Sequence, residues 1–177
     1  MSFTVHEIVV PVMIHGLNVM DDYLNHAQNW EKKNSLDEGM VLKARLAADM
    51  IPFGEQFSVT CDKVETHIAK LRQDKLPKLL PPDMTYRGLK YRLMSVRSTL
   101  EKIEPAELAD AQAHTYALKP PIVRGWFGGD DYIRHLILPD FFFHIATAHA
   151  ILRHLGAPVG KRDFLGNLTQ QSGGDYS

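Results

Sequence analysis

The stretch that most limits what this chain can fold into runs from Pro139 to Gly166, PDFFFHIATAHAILRHLGAPVGKRDFLG. From Phe141 to Leu152 apolar residues occupy every side of a 3.6-residue period, so the spacing predicts a core helix that neighbours cover almost all round. Gly156 supplies the C-terminal stop, Pro158 cannot continue the helix, and Arg153 and His154 suit the negative end of its dipole.

The histidines on this stretch pose the functional question. His144 and His149 lie five apart and diverge by about 140°, so they cannot share one ligand as an i, i+4 pair does. His144 falls on one stripe with Asp140, Thr147, Ala148 and Ile151, where small residues permit close approach. It reads either as a hydrogen-bonded core histidine or as a pocket group. His149 and His154 read as structural groups of the C-terminal turn. Pro139 cannot bond the carbonyl of His135, which predicts a kink or restart there. In a continuous helix His135 and His144 point to opposite sides, whereas a kink turns both toward one cavity.

A chain of 177 residues with 45% hydrophobic and 23% charged residues reads as one domain, residues 1–166, with a flexible tail over 167–177. A formal net charge of −1 gives no field for nucleic acid or anionic lipid, so neither is expected as a partner. The apolar run in MSFTVHEIVV has no basic leader and breaks at Pro11, His15 and Asn18 short of membrane-spanning length, and the single cysteine, Cys61, fits a reducing compartment. The expectation is a soluble cytoplasmic protein.

Along the chain, Val5, Val9, Val12, Met13, Leu17, Met20 and Leu24 predict a first amphipathic helix over about 4–33. His15, Asp22 and His26 share its flank and read as a solvated face. A short helix is expected over about 40–48, with Arg45 and Asp49 as an i, i+4 ion pair. Phe57, Cys61, Val64, Ile68 and Leu71 repeat at 4-3-4-3 spacing and predict a second helix over about 54–75 whose seam belongs to an antiparallel bundle. Thr60 and His67 flank that seam, Cys61 packs inward as an inert thiol, and Asp62 lies far from the seam centre as a solvated carboxylate. Prolines 77, 81 and 82 make a linker. A third helix, capped by Asp83 or Thr85, runs to about Ile103 with Leu89, Leu93, Val96 and Leu100 inward and a basic outer face. HTYAL and IVRGWF around Lys119-Pro120-Pro121 read as a hairpin, after which Asp130 or Asp131 caps the next helix.

The run Leu138 to Gly166, with Arg45-Leu46-Ala47, Asp49-Met50 and Cys61-Asp62, resembles domain-of-unknown-function family nineteen ninety-three, which is grouped by similarity with the DinB/YfiT-like bundles. The resemblance covers nearly the whole chain and implies an all-α, up-down four-helix bundle with a small β-hairpin before the last helix. Arg45, Asp49, Asp62, His135, His144, Arg153, Lys161 and Asp163 match the family blocks. DinB-like relatives commonly bind a divalent metal through three histidines, one on helix two and an i, i+4 pair on helix four, and some are thiol-dependent transferases or hydrolases. In this chain helix four offers His135, His144 and His149 at other spacings, Lys63 stands where the family pattern has a histidine after the Cys-Asp pair, and His149 stands where it has a tyrosine.

Two functions follow as expectations. In the first, His144 and His135 with Asp62 form a catalytic or metal site, holding zinc, nickel or manganese, in a histidine-lined pocket of a hydrolase or transferase. Phe141, Phe142, Trp126 and Tyr132 would hold a small hydrophobic molecule there. In the second, a metal-free bundle binds a ligand or self-associates without catalysis, and each imidazole is a buried hydrogen-bonding group. A homodimer suits either.

Overall fold

The protein is described by a computed structural model that covers residues 3–79, 81–118 and 125–168. The proline turn of the hairpin and the tail beyond Leu168 lie outside the described residues. Four long helices, α1 (Val5–Lys33), α2 (Phe53–Leu71), α3 (Tyr86–Leu100) and α5 (Leu138–His154), make a DinB-like bundle. Both α1 and α2 pack against α3 and α5, so α1 and α2 face each other across the diagonal.

Local chemistry sets each helix end. Thr4 caps α1 in a capping box, its hydroxyl accepting from the Glu7 amide while the Glu7 carboxylate accepts from the Thr4 amide. Thr85 caps α3 by accepting from the Gly88 amide. Gly156, at φ +86°, takes the left-handed turn that ends α5. Gly16 lets α1 and α5 meet, since a Cβ there would stand 2.5 Å from the ring of Phe141 and 2.7 Å from the Ile145 side chain.

The predicted seam of α2 is buried in full, as are Leu89, Leu93, Val96 and Leu100 of α3. The segment expected as a helix over 40–48 contains only a 3₁₀ turn, Val41–Lys43. The amides of Gly39, just before it, and of Val41 donate to the buried Glu31 carboxylate, and that anchoring of a loop replaces helix propagation. Arg45 donates to the carbonyl of Ala48 rather than pairing with Asp49. The flank of His15 and His26 is not simply solvated: the final helix, α6 (Lys161–Leu165), lies on it, with His15 Nε2 2.7 Å from the Leu165 carbonyl and His26 3.5 Å from Asp163.

The hairpin pairs β1 (Thr115–Leu118) with β2 (Gly125–Gly128) antiparallel, Tyr116 opposite Phe127. A short helix, α4 (Gly129–Tyr132), follows with Gly128 as its N-cap, and neither Asp130 nor Asp131 caps it. Between α4 and α5 the chain forms a π turn, Ile133–Ile137, in which the Leu138 amide bonds the carbonyl of Ile133. One added residue in the turn accommodates the missing N–H of Pro139, and α5 restarts at Leu138 with the proline in its first turn, the restart expected at this position.

The stretch Gly129–His154 is long and apolar enough, by length and composition, to cross a bilayer, with mean hydropathy 1.3. Here it is a core helix of the bundle: Phe141, Ile145, Ala148, Ile151 and Leu152 are buried. The expectation of cover on every side is corrected at one face, where Phe142 and Phe143 are exposed. The bundle covers α5 from the side of α1 and α2, and the face carrying Phe142 and Phe143 stays open.

Candidate site between α2 and α5

Along α2 the residues Gln56, Thr60, Lys63 and His67 recur four, three and four apart, one position before the first four members of the apolar seam. They therefore form a polar row beside the seam. On α5, Asp140 and His144 stand one turn apart and meet that row. Lys63 Nζ lies 2.9 Å from Asp140 Oδ2, and the same oxygen stands 3.5 Å from His67 Nε2. The other carboxylate oxygen, Oδ1, is 3.8 Å from His144 Nε2. Side-chain exposure is 7% at His67, 9% at His144 and 14% at Asp140, rising to 30% at Lys63, so the cluster opens to solvent along its lysine edge.

The surrounding hydrogen bonds assign the protons. Gln56 donates through Nε2 to the Ile51 carbonyl at 3.0 Å, which turns its Oε1 toward His144 Nδ1 at 2.8 Å. His144 therefore carries its proton on Nδ1 and leaves Nε2 as a lone-pair acceptor. At His67 the carboxylate takes Nε2–H, and the Tyr132 hydroxyl, 2.8 Å away, donates to Nδ1. Tyr132 is placed by the hairpin, because Tyr116 of β1 stacks on it at 4.4 Å between ring centres. Burial raises the Tyr132 phenol above its ordinary range, which keeps it a donor.

Burial also sets the charge state of the imidazoles. It lowers His67 below the usual histidine range although Asp140 pulls the other way, and it lowers His144 likewise. Asp140 behaves oppositely. Burial by itself would raise its carboxyl, but the His67 hydrogen bond and the Lys63 ammonium outweigh that and hold it at about 2. At neutral pH the cluster is one ion pair flanked by two neutral imidazoles. Such an arrangement can accept a hydrogen bond or a proton at His144 Nε2, with the Asp140 carboxylate near enough to favour the resulting imidazolium.

The residues expected from sequence are not gathered here. His144 belongs to the cluster. His135, on the outer side of the π turn, is 67% exposed and lies 3.6 Å from Asp131, away from His144. Asp62 is on another side of α2, where its carboxylate accepts from Arg92 of α3 at 2.9 Å beside Glu65. Phe141 and Tyr132 are core residues, and Phe142 and Trp126 are exposed. His149 is held by the Tyr23 hydroxyl at 2.8 Å. Cys61 is fully buried, which pushes its thiol up to about 12. His67, Lys63 and Asp140 were not gathered from the sequence as a site, although the polar row on α2 and the Asp140–His144 pair are both visible in it.

Neither of two sizeable cavities is lined by the cluster. One of about 950 Å³ lies between α3 and Pro77, Pro81 and Asp83, and another of about 600 Å³ lies beside Leu42, Arg45, Met84 and Tyr86. The divalent ion implied by DinB-like relatives does not fit the donors as placed. Lys63 puts an ammonium on the shared carboxylate, and among the described residues no three histidine, cysteine or acidic side chains could hold one ion together.

Residues 5–165 match the family model described as Domain of unknown function (DUF1993). The chain belongs to that family. It is also similar to a solved structure described as a DinB family member protein from Shewanella denitrificans, at 28% identity and a TM-score of 0.84, with 92% of each chain covered. No protein of curated function matches it.

Proposed function

We propose that this DUF1993 protein is a metal-free DinB-like bundle that binds a small hydrophobic molecule carrying a hydroxyl or N–H donor, with His144 Nε2 as the acceptor. The observation that carries the reading is that nitrogen itself. Its partner Nδ1 is committed to Gln56, and Nε2 makes no hydrogen bond among the described residues, the nearest charge being Asp140 at 3.8 Å. An acceptor that no protein group supplies with a donor is open to any ligand that brings one. Phe143, 57% exposed, stands edge-on to the His144 ring at 5.4 Å between centres and offers the apolar contact.

The test uses protein purified without a histidine tag, first by elemental analysis and by melting with added zinc, nickel or manganese. Phenol and toluene are then titrated while the histidine ring resonances are followed by NMR. The reading expects no stoichiometric metal, and a saturable phenol shift at His144 that is lost in His144→Ala and absent with toluene. Equal responses to both probes, or a bound metal, would sink it. A second copy of the chain covering Phe142 and Phe143 is the competing occupant, and light scattering across a concentration series separates it from a small ligand.

A further inference from the structure

Two hydrogen-bond acceptors with no donor between them meet in the α2–α5 cluster. His144 Nε2 is one, left as a lone pair because Nδ1–H is given to Gln56. The other is Asp140 Oδ1, 3.8 Å away: Lys63 and His67 both go to Oδ2, and no donor among the described residues bonds Oδ1. Neither atom is sealed, since among the described residues the polar side-chain atom closed to solvent without a partner is the Tyr86 hydroxyl. We propose that Asp140 Oδ1 and His144 Nε2 act together as a paired acceptor for one neutral NH2 group, so that the site selects an apolar primary carboxamide over an alcohol of the same size. The inference rests on the reading of His144 Nε2 as the ligand's acceptor given above.

Geometry and charge carry it. A nitrogen about 2.9 Å from both atoms sees them at an angle of about 80°, so the two N–H bonds of a planar NH2 reach them bent by about 20° each, within the range of good hydrogen bonds. A hydroxyl brings one proton and leaves the second acceptor unmet. The pair is held in place beforehand: Asp140 and His144 stand one turn apart on α5, Gln56 fixes the imidazole, and Lys63 and His67 fix the carboxylate. An ammonium would also bring the protons. However, Lys63 and Lys70 both bear on His67, so the cluster already sets two ammonium groups against one carboxylate, and a neutral NH2 supplies the donors without adding a third. Phe143, edge-on to the His144 ring, meets the apolar part of such a molecule.

The experiment follows the His144 ring resonances of the untagged wild-type protein while benzamide, N-methylbenzamide, N,N-dimethylbenzamide, benzylamine and phenol are titrated. Benzamide, with two N–H bonds, is expected to bind about 10-fold tighter than the N-methyl amide, which has one, and the dimethyl amide to leave His144 unshifted. Benzylamine, charged at pH 7, is expected to bind more weakly than benzamide. In Asp140→Asn the side-chain oxygen stays with Lys63 and His67, which turns the new NH2 toward His144 Nε2, so the preference for benzamide is expected to vanish. The amide series in wild type needs no variant and decides the matter even where Asp140→Asn misfolds. Saturable phenol binding at His144 with the three amides indistinguishable, as for a pair met by a bridging water only, would overturn this inference alone. Benzylamine binding tighter than benzamide would overturn it too. No saturable shift with any of the five compounds would overturn both the inference and the reading beneath it.

Discussion

Replacing Asp140 by asparagine removes the charge that Lys63 and His67 share while keeping nearly the same shape. The carboxyl is held at about 2 against an ordinary 3.8, and by linkage that separation corresponds to about 2.5 kcal/mol. The open lysine edge screens it, leaving about 1–2 kcal/mol. Because the folded value lies below the unfolded one, this contribution is complete above about pH 4 and disappears as pH falls toward 2. Urea unfolding followed by circular dichroism should therefore show Asp140→Asn less stable than wild type by about 1–2 kcal/mol at pH 7, or about 2–8 °C in melting temperature. The difference should shrink toward pH 2. His67 and His144 add a separate limb. Burial lowers both in the fold, so both proteins lose stability as pH drops below about 6.5, where the unfolded imidazoles bind protons first. An asparagine variant as stable as wild type at pH 7, or a gap that stays constant down to pH 2, would refute the assignment of Asp140 as the ionised centre of the cluster.

Other expectations follow from single contacts. Gly16→Ala should destabilise by about 1–3 kcal/mol by overpacking, although alanine is intrinsically the better helix former by about 1 kcal/mol, because its Cβ would meet Phe141 and Ile145; thermal melting decides the sign. Thr4→Ala should cost about 1 kcal/mol in the same assay through loss of the capping box on α1. Cys61 should resist thiol reagents in the native protein and react fully in denaturant, since burial keeps it protonated.

Much of the bundle is legible in the residues. The seam of Phe57, Cys61, Val64, Ile68 and Leu71 is buried as its spacing predicts, and Thr85 and Gly156 mark helix ends by local rules. The site is legible only in halves. Gln56, Thr60, Lys63 and His67 copy the seam's rhythm one residue earlier, and Asp140 with His144 makes a second row. Nothing along one helix says that these rows face each other; that depends on how α2 and α5 cross. His135 was placed with His144 because proline chemistry predicts a kink, while the chain absorbs Pro139 in a π turn. Asp62 has its partner, Arg92, thirty residues away on α3, beyond the reach of any local pattern. The loop after α1 failed as a helix because its amides are held by the buried Glu31.

The measurement closest to the central claim is a nitrogen-15 NMR spectrum of the histidine rings at pH 7 in untagged protein whose metal content has been determined. The account predicts no stoichiometric metal and two neutral imidazoles of opposite tautomer, His144 protonated on Nδ1 and His67 on Nε2. A bound ion, or a His144 ring protonated on Nε2, would contradict it.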